Sequence, residues 1–232
     1  AACSPRALER IAKIPAPSYR DGSQLKINMV LRRLPELKSG DDPRIAFAGT
    51  FHINESYSQI ETALTQVQAG AIPDVIPAEM YCHTLTDPSI LSEELRNKGF
   101  QTLTLFAIHI PASLFESDPD RVKEEITRRT LDQLSEYLVR PIEEYLAQDR
   151  HGNLCIEVKT PLELESDIDL PRGNIFHGDL RFPWRSDSEK YRWGCETASA
   201  KIFLAGAGSL RGGGVSGIGG HNAAMAALEE LE

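Results

Sequence analysis

Hydrophobic and polar residues alternate in several short segments of this chain, as they do in strands that bury one face. The segment from Leu25 to Leu31 places Leu25, Ile27, Met29 and Leu31 on one side, with Lys26 and Asn28 between them. Further predicted strands lie at residues 79–84, 101–110 and 154–158. The pattern therefore predicts a sheet with one buried face.

The segment from Arg44 to Ile53 has the clearest alternation. Its larger side chains fall on one face and predict burial of Ile45, Phe47, Phe51 and Ile53. The small residues Ala46 and Ala48 fall on the other face, which we expect to lie toward a substrate or a covering helix.

Helices are predicted between these strands. One runs from Tyr57 to Gln68 and stops at Gly70. A longer helix begins at Ser117-Asp118-Pro119, with a capping side chain and a proline in the first turn. It breaks or kinks at Pro141, and a short second piece runs to about residue 147. Another begins at Thr160-Pro161, with Glu163 completing a capping box.

Glycine is concentrated in residues 206–220, GAGSLRGGGVSGIGG, where eight of fifteen residues are glycine. A short buried strand is predicted before it, at 201–205, and a helix after it, at 217–231, with Ala224, Leu228 and Leu231 on one face. Such a loop lets a ligand approach the backbone, and the helix N-terminus favours phosphate or developing negative charge. The alternative is a flexible glycine loop without a ligand.

The loop alone is not a dinucleotide-binding fingerprint. Gly206 and Gly208 supply the first two glycines of GxGxxG, but Arg211 stands at the third. The fingerprint also needs a following strand that carries an acid for the ribose, and none follows in this sequence. The order strand, glycine loop, helix instead suggests the closing part of a nucleotide-binding domain.

Three segments carry a family resemblance: GNIFHGDL at 173–180, KIFLAGAG at 201–208 and GGGVSGIGGHNAA at 212–224. They resemble the C-terminal half of phytoene dehydrogenase-related FAD-dependent oxidoreductases, in the amine oxidase and phytoene desaturase superfamily. The resemblance covers essentially the whole chain. It departs at Arg211, where the family often has proline, and around Trp193-Gly194, where a Thr-Pro stretch is usual.

The resemblance implies that the chain binds one part of FAD. It places Gly206, Ala207 and Gly208 along the ribityl and pyrophosphate region of the cofactor. It places Gly213, Gly214, Val215 and Ser216 beside the flavin ring, with the helix N-terminus aimed at the C2 carbonyl, where amides stabilise negative charge on reduced flavin.

The implied fold class is α/β (α+β), with a mixed, largely antiparallel sheet, flanking helices and the closing strand, glycine loop and helix of a FAD-binding domain. Residues 1–200 are expected to form a substrate-side domain and residues 201–232 the C-terminal segment of the FAD domain, whose N-terminal Rossmann half is absent. We therefore expect the chain by itself to fold without retaining FAD, because the missing half would hold the ADP moiety.

The implied reaction is hydride transfer from an apolar, polyene-like substrate to flavin, with no catalytic side chain assigned. A flavin-dependent isomerase, an amine oxidase and a catalytically silent interaction protein remain alternatives. His177 and His221 are candidates for cofactor contact or for packing, and Trp184 and Trp193 for lining a channel or anchoring a loop.

The composition of the chain restricts which kinds of partner are expected. The net charge is −9, with 25 basic against 34 acidic residues, so nucleic acid is not an expected partner. No apolar run reaches membrane-spanning length. The widely separated cysteines indicate a reduced intracellular protein, which is expected to be cytoplasmic, with peripheral membrane contact left open. The four cysteines form no CxxC, and no metal-ligand spacing links His52, His83 and His109, so no metal is expected. The sequence leaves the oligomeric state open.

Overall fold

A computed structural model describes residues 21–177, 192–197, 199, 201–209 and 216–231. The chain divides into two compact units. One unit is Asp21–Asp167, and the other contains the described residues from Ile168 onward. No helix in the described ranges combines the length and the apolar character that crossing a bilayer requires.

A five-stranded sheet forms the centre of the unit Asp21–Asp167. Its strands, in the spatial order β2-β3-β4-β1-β5, are β1 (Gln24–Leu31), β2 (Thr50–Ile53), β3 (Ala78–Tyr81), β4 (Gln101–Ile108) and β5 (Ile156–Lys159). Every pairing in this sheet is antiparallel. With the helices that flank the sheet, this confirms the predicted α/β fold class.

Seven α-helices are found in the described residues: α1 (Pro43–Ala46), α2 (Tyr57–Gln68), α3 (His83–Thr86), α4 (Glu93–Asn97), α5 (Pro119–Ser135), α6 (Pro161–Ile168) and α7 (Ile218–Glu229). Short 3-10 turns occupy Pro88–Ile90, Ala112–Phe115, Ile142–Glu144 and Pro171–Gly173.

The hydrophobic core lies between one face of the sheet and helix α5. The sheet contributes alternate residues such as Ile27 and Leu105, and α5 contributes Ile126 and Leu134, all fully buried. Residues on the other face of the sheet are half-buried and more polar, among them Lys26, Asn28, Thr102, Thr104 and Glu79. The predicted alternation of β1 is thus confirmed.

Two helix starts follow the capping signals in the sequence. The Asp118 carboxylate accepts a hydrogen bond from the Arg121 N–H at the start of α5. At α6 the Thr160 N–H donates to the Glu163 carboxylate, while the Glu163 N–H donates to the Thr160 hydroxyl. This reciprocal pair is the predicted capping box.

Helix α5 ends at Ser135, earlier than the predicted break at Pro141. The helix ends there because the backbone of the following residues, 137–139, pairs with residues 36–38. Leu138 forms an isolated bridge with Leu37, and the Val139 N–H donates to the Glu36 carbonyl.

The predicted strand from Arg44 to Ile53 is wrong in its first half. Asp42 and Pro43 start helix α1, whose first turn is capped by the Asp42 side chain. Ile45 is consequently 77% exposed, whereas Phe47 and Ile53 are buried as expected. Phe51 and Ala46 are half-buried against the core, and Ala48 is exposed.

Two other strand predictions also need correction. The segment 79–84 leaves the sheet after Tyr81 and turns into α3. The segment 201–205 is not a buried strand: Phe203 forms one isolated bridge with Glu196, and Leu204 is 45% exposed. A single bridge provides too few backbone hydrogen bonds to order a strand.

Candidate functional site

A tight turn at residues 206–209 contacts the first turn of helix α7. Gly206 has a φ of +88°, and its carbonyl accepts hydrogen bonds from both the N–H and the hydroxyl of Ser209. Gly219 lies against this turn so closely that a Cβ built on it would lie 2.6 Å from the Ser209 hydroxyl and 2.7 Å from the Gly206 carbonyl oxygen. Only glycine fits at position 219 without displacing the turn.

The start of α7 is built from glycine as well. Gly217 is the N-cap residue, with a φ of +75° that favours glycine and with no side chain to cap the helix. The Ser216 hydroxyl accepts from the Ile218 N–H at 3.3 Å. The first N–H groups of an α-helix have no acceptor within the helix, so this end can stabilise negative charge.

His177 lies beside the same turn. It has a φ of +59°, and its N–H donates to the Asn174 carbonyl at 2.8 Å. Its ring Nδ1 lies 3.5 Å from the position that a Cβ on Gly208 would occupy. The structure therefore brings His177, from the described part of the GNIFHGDL motif, together with the glycine turn, which the sequence presents as a separate motif.

Trp193 is anchored on helix α7. Its indole N–H donates to the Glu229 carboxylate at 3.0 Å, and the Asn222 side-chain amide donates to its carbonyl at 2.9 Å. The His221 ring packs edge-on at a centroid distance of 6.4 Å. These contacts support the loop-anchoring alternative for Trp193 and a packing role for His221; Trp184 lies outside the described residues.

Glu229, near the end of α7, holds two side chains of the segment at 192–193. It accepts the Trp193 indole N–H and forms a 2.8 Å ion pair with Arg192. The Arg192 guanidinium also lies 5.1 Å from the Trp193 ring centroid.

The carboxylate of Glu196 holds the turn that carries Trp193. It accepts the N–H groups of Trp193 at 2.9 Å and of Cys195 at 3.0 Å. Burial by itself raises the pKa of Glu196, but the hydrogen bonds from these backbone N–H groups outweigh it and lower the pKa below its usual value. Burial, followed by the charge of Glu196, raises the pKa of the Cys195 thiol, which therefore stays protonated at neutral pH.

The lowered pKa of Glu196 predicts acid sensitivity of this turn. Its stabilising effect is present above the unfolded-state value of about 4.3 and is lost as pH falls through the lower folded-state pKa. In a Trp184→Phe background, which leaves Trp193 as the fluorophore, emission should change below about pH 4. Glu196→Gln should remove this acid step, and a step that persists in Glu196→Gln would assign it to another group.

The structure describes four of the seven predicted cofactor-binding residues. Gly206, Ala207 and Gly208 form the turn, and Ser216 precedes α7. The other three, Gly213, Gly214 and Val215, lie outside the described residues. Contact of all seven with FAD stays a prediction.

Gly219 was missed as a site residue by sequence reasoning. Its signal was the GIGG stretch at the helix start, where a glycine within a helix is otherwise unfavourable. Its closeness to Gly206 arises only in the folded chain.

The three histidines considered for metal binding lie in separate surroundings. His52 contacts Glu55, and His83 stacks on Tyr81. Burial lowers the pKa of His109, which has a φ of +59°. Within the described ranges, no three histidine, cysteine or acidic side chains cluster in a way that could hold a metal.

Comparison with known proteins gives relatives but no family model that matches. Uncharacterized proteins of Mycobacterium tuberculosis and Mycobacterium bovis are 45% identical over 231 residues, which cover 97% of this chain and 43% of theirs. Pyridine nucleotide-disulfide oxidoreductase domain-containing protein 2 of rat is 28% identical over 222 residues, which cover 89% of this chain and 35% of its own. The mouse protein of that name matches equally well.

The chain thus spans less than half the length of the curated relatives it matches. Over most of its length it is similar to part of a pyridine nucleotide-disulfide oxidoreductase domain-containing protein.

Proposed function

We propose that this chain is part of an FAD-dependent oxidoreductase and supplies one side of its flavin site. The main support is the packing of Gly219 against the turn at Gly206, next to His177. The rat and mouse relatives, which their names assign to oxidoreductases, support the reaction class. The phytoene dehydrogenase-related branch and an apolar, polyene-like substrate rest on the sequence resemblance alone.

The described residues fit a flavin cofactor. A Cβ built on Gly206 would meet no described atom within 4 Å, so the described residues leave room for a ligand at this point of the turn. The N-terminus of α7 begins next to this turn and offers backbone N–H groups to negative charge. When bound, FAD would supply the hydride acceptor.

Each part of the site has a distinct role in this proposal. The turn at 206–209 would let the cofactor approach the backbone, and the start of α7 would stabilise negative charge on the cofactor. His177 positions the turn by packing on Gly208. We assign the rest of the flavin site to the part of such a protein that this chain does not cover.

We assign substrate binding to the unit Asp21–Asp167, which falls within the 1–200 substrate-side domain that the sequence indicates. The half-buried, more polar face of its sheet, opposite the core, also carries the aromatic side chains Tyr81 and Phe106. Their rings are 6.0 Å apart in an edge-on arrangement. An apolar substrate would find contact area there without disturbing the core on the opposite face.

The test uses the polypeptide expressed from its complete reading frame. The purified protein is mixed anaerobically with a polyene such as phytoene or with an amine such as benzylamine, and the flavin band at about 450 nm is followed. Bleaching by the polyene supports the proposal. Bleaching by the amine alone would favour an amine oxidase, and flavin that neither compound reduces would favour an isomerase or a silent interaction protein.

A further inference from the structure

We propose that a groove on the polar face of the sheet binds a small molecule with an apolar body and an ammonium head. The groove has a volume of about 510 Å³. It lies across β4, β1 and β5, and its principal lining residues are Asn28, Val30, Ile90, Thr104, Leu154 and Glu157. We call it the β1 groove.

A row of hydrogen-bonded side chains crosses the floor of the β1 groove. Asn28 pairs in register with Thr104 on one side and with Glu157 on the other. The Thr104 hydroxyl donates to the Asn28 amide oxygen at 3.3 Å, and the Asn28 amide nitrogen donates to the Glu157 carboxylate at 3.0 Å. This network fixes the orientation of the Glu157 carboxylate without neutralising its charge.

Apolar side chains flank this polar row. Val30 is half-buried on the floor, while Ile90 is 55% and Leu154 38% exposed. Large aliphatic side chains exposed at one groove provide contact area for an apolar ligand. The combination matches an amphipathic molecule better than a sugar or an inorganic ion.

The charge of the β1 groove selects a cation. Two carboxylates line it, Asp149 and Glu157, and the residues that line it include neither lysine nor arginine. Hydrogen bonds from Asn153 and His151 lower the pKa of Asp149, which keeps it ionised at neutral pH. Lys159 lies 3.8 Å from the Glu157 carboxylate but closer to Asp167, at 2.7 Å.

This proposal does not depend on flavin binding. Every residue that lines the β1 groove belongs to the unit Asp21–Asp167. Ligand binding can therefore be measured whether or not the protein contains flavin, and failure of one proposal leaves the other standing.

The test compares three six-carbon probes with the same apolar body: hexylamine, hexanol and hexanoate. Binding to the 232-residue chain is measured at neutral pH by NMR titration. Hexylammonium should bind about tenfold more tightly than hexanoate. Shifts should be largest at the amides of Asn28, Val30 and Glu157.

Glu157→Gln keeps the size and the hydrogen-bond acceptor of Glu157 but removes its charge. It should weaken hexylammonium binding about fivefold to tenfold and change hexanol binding less than about twofold. Glu93→Gln, at an exposed position in α4, makes the same change in net charge and should have no effect.

Two outcomes would overturn the proposal. One is equal binding of hexylammonium and hexanoate, and the other is an equal loss of affinity in Glu157→Gln and Glu93→Gln. Leu154→Asp provides a second check that does not depend on Glu157, because it should weaken hexanol binding by removing apolar contact area. Thermal melts establish that each variant is folded.

Discussion

Gly219→Ala is expected to release FAD from the protein expressed from its complete reading frame and to lower the stability of the unit that contains α7. The new methyl group would lie 2.6 Å from the Ser209 hydroxyl and 2.7 Å from the Gly206 carbonyl oxygen. The backbone carbonyl cannot rotate away as a flexible side chain can, so the turn or the helix must move. Overpacking of this kind is unfavourable by about 1–3 kcal/mol.

Gly220→Ala is the matched control for this prediction. A Cβ on Gly220 meets no described atom within 4 Å, and the residue lies in the same turn of α7. Alanine is favoured over glycine in helices by up to about 1 kcal/mol, so this variant should retain FAD with unchanged or higher stability. The flavin-to-protein ratio after gel filtration separates the two variants, and equal ratios would contradict the assigned contact.

Phe47→Ala is expected to destabilise the chain by about 3–5 kcal/mol. Phe47 is 1% exposed in the core of the unit Asp21–Asp167, which we call the sheet unit. Its ring centroid lies 4.7 Å from that of Phe51. Truncation would lose this burial and leave a cavity. Urea denaturation followed by circular dichroism measures the loss as a lower midpoint.

Ile45→Ala, two residues away, should change stability by less than about 0.5 kcal/mol. The reason is that Ile45 is 77% exposed on helix α1. An alternating strand would bury both side chains and make both substitutions destabilising. A large effect at Ile45 would therefore restore the strand prediction and contradict helix α1.

The sequence predicts the core elements of the sheet unit well, because periodicity and capping are local signals. β1 shows a clean alternation, α2 ends just before Gly70 as predicted, and α5 begins after the predicted capping side chain. The same local rules also contained the evidence against a strand at 44–53. Asp42 followed by Pro43 is a helix-start signal, and the later alternation of large side chains concealed it.

The candidate site was only partly predictable, because it depends on contacts between distant segments. Glycine density marks the loop at 206–220, but it does not show that Gly219 touches Gly206. The packing of His177 on Gly208 and of Trp193 on α7 likewise arises only on folding. The β1 groove depends on the register of three strands, which alternation alone does not determine.

The most direct test of the central claim is the flavin content of the protein purified from its complete reading frame. Absorbance at about 450 nm, calibrated against released FAD, gives the number of flavins per chain. The flavin-site proposal predicts about one FAD per chain in the wild-type protein. A folded, colourless protein that takes up no FAD on titration would contradict it.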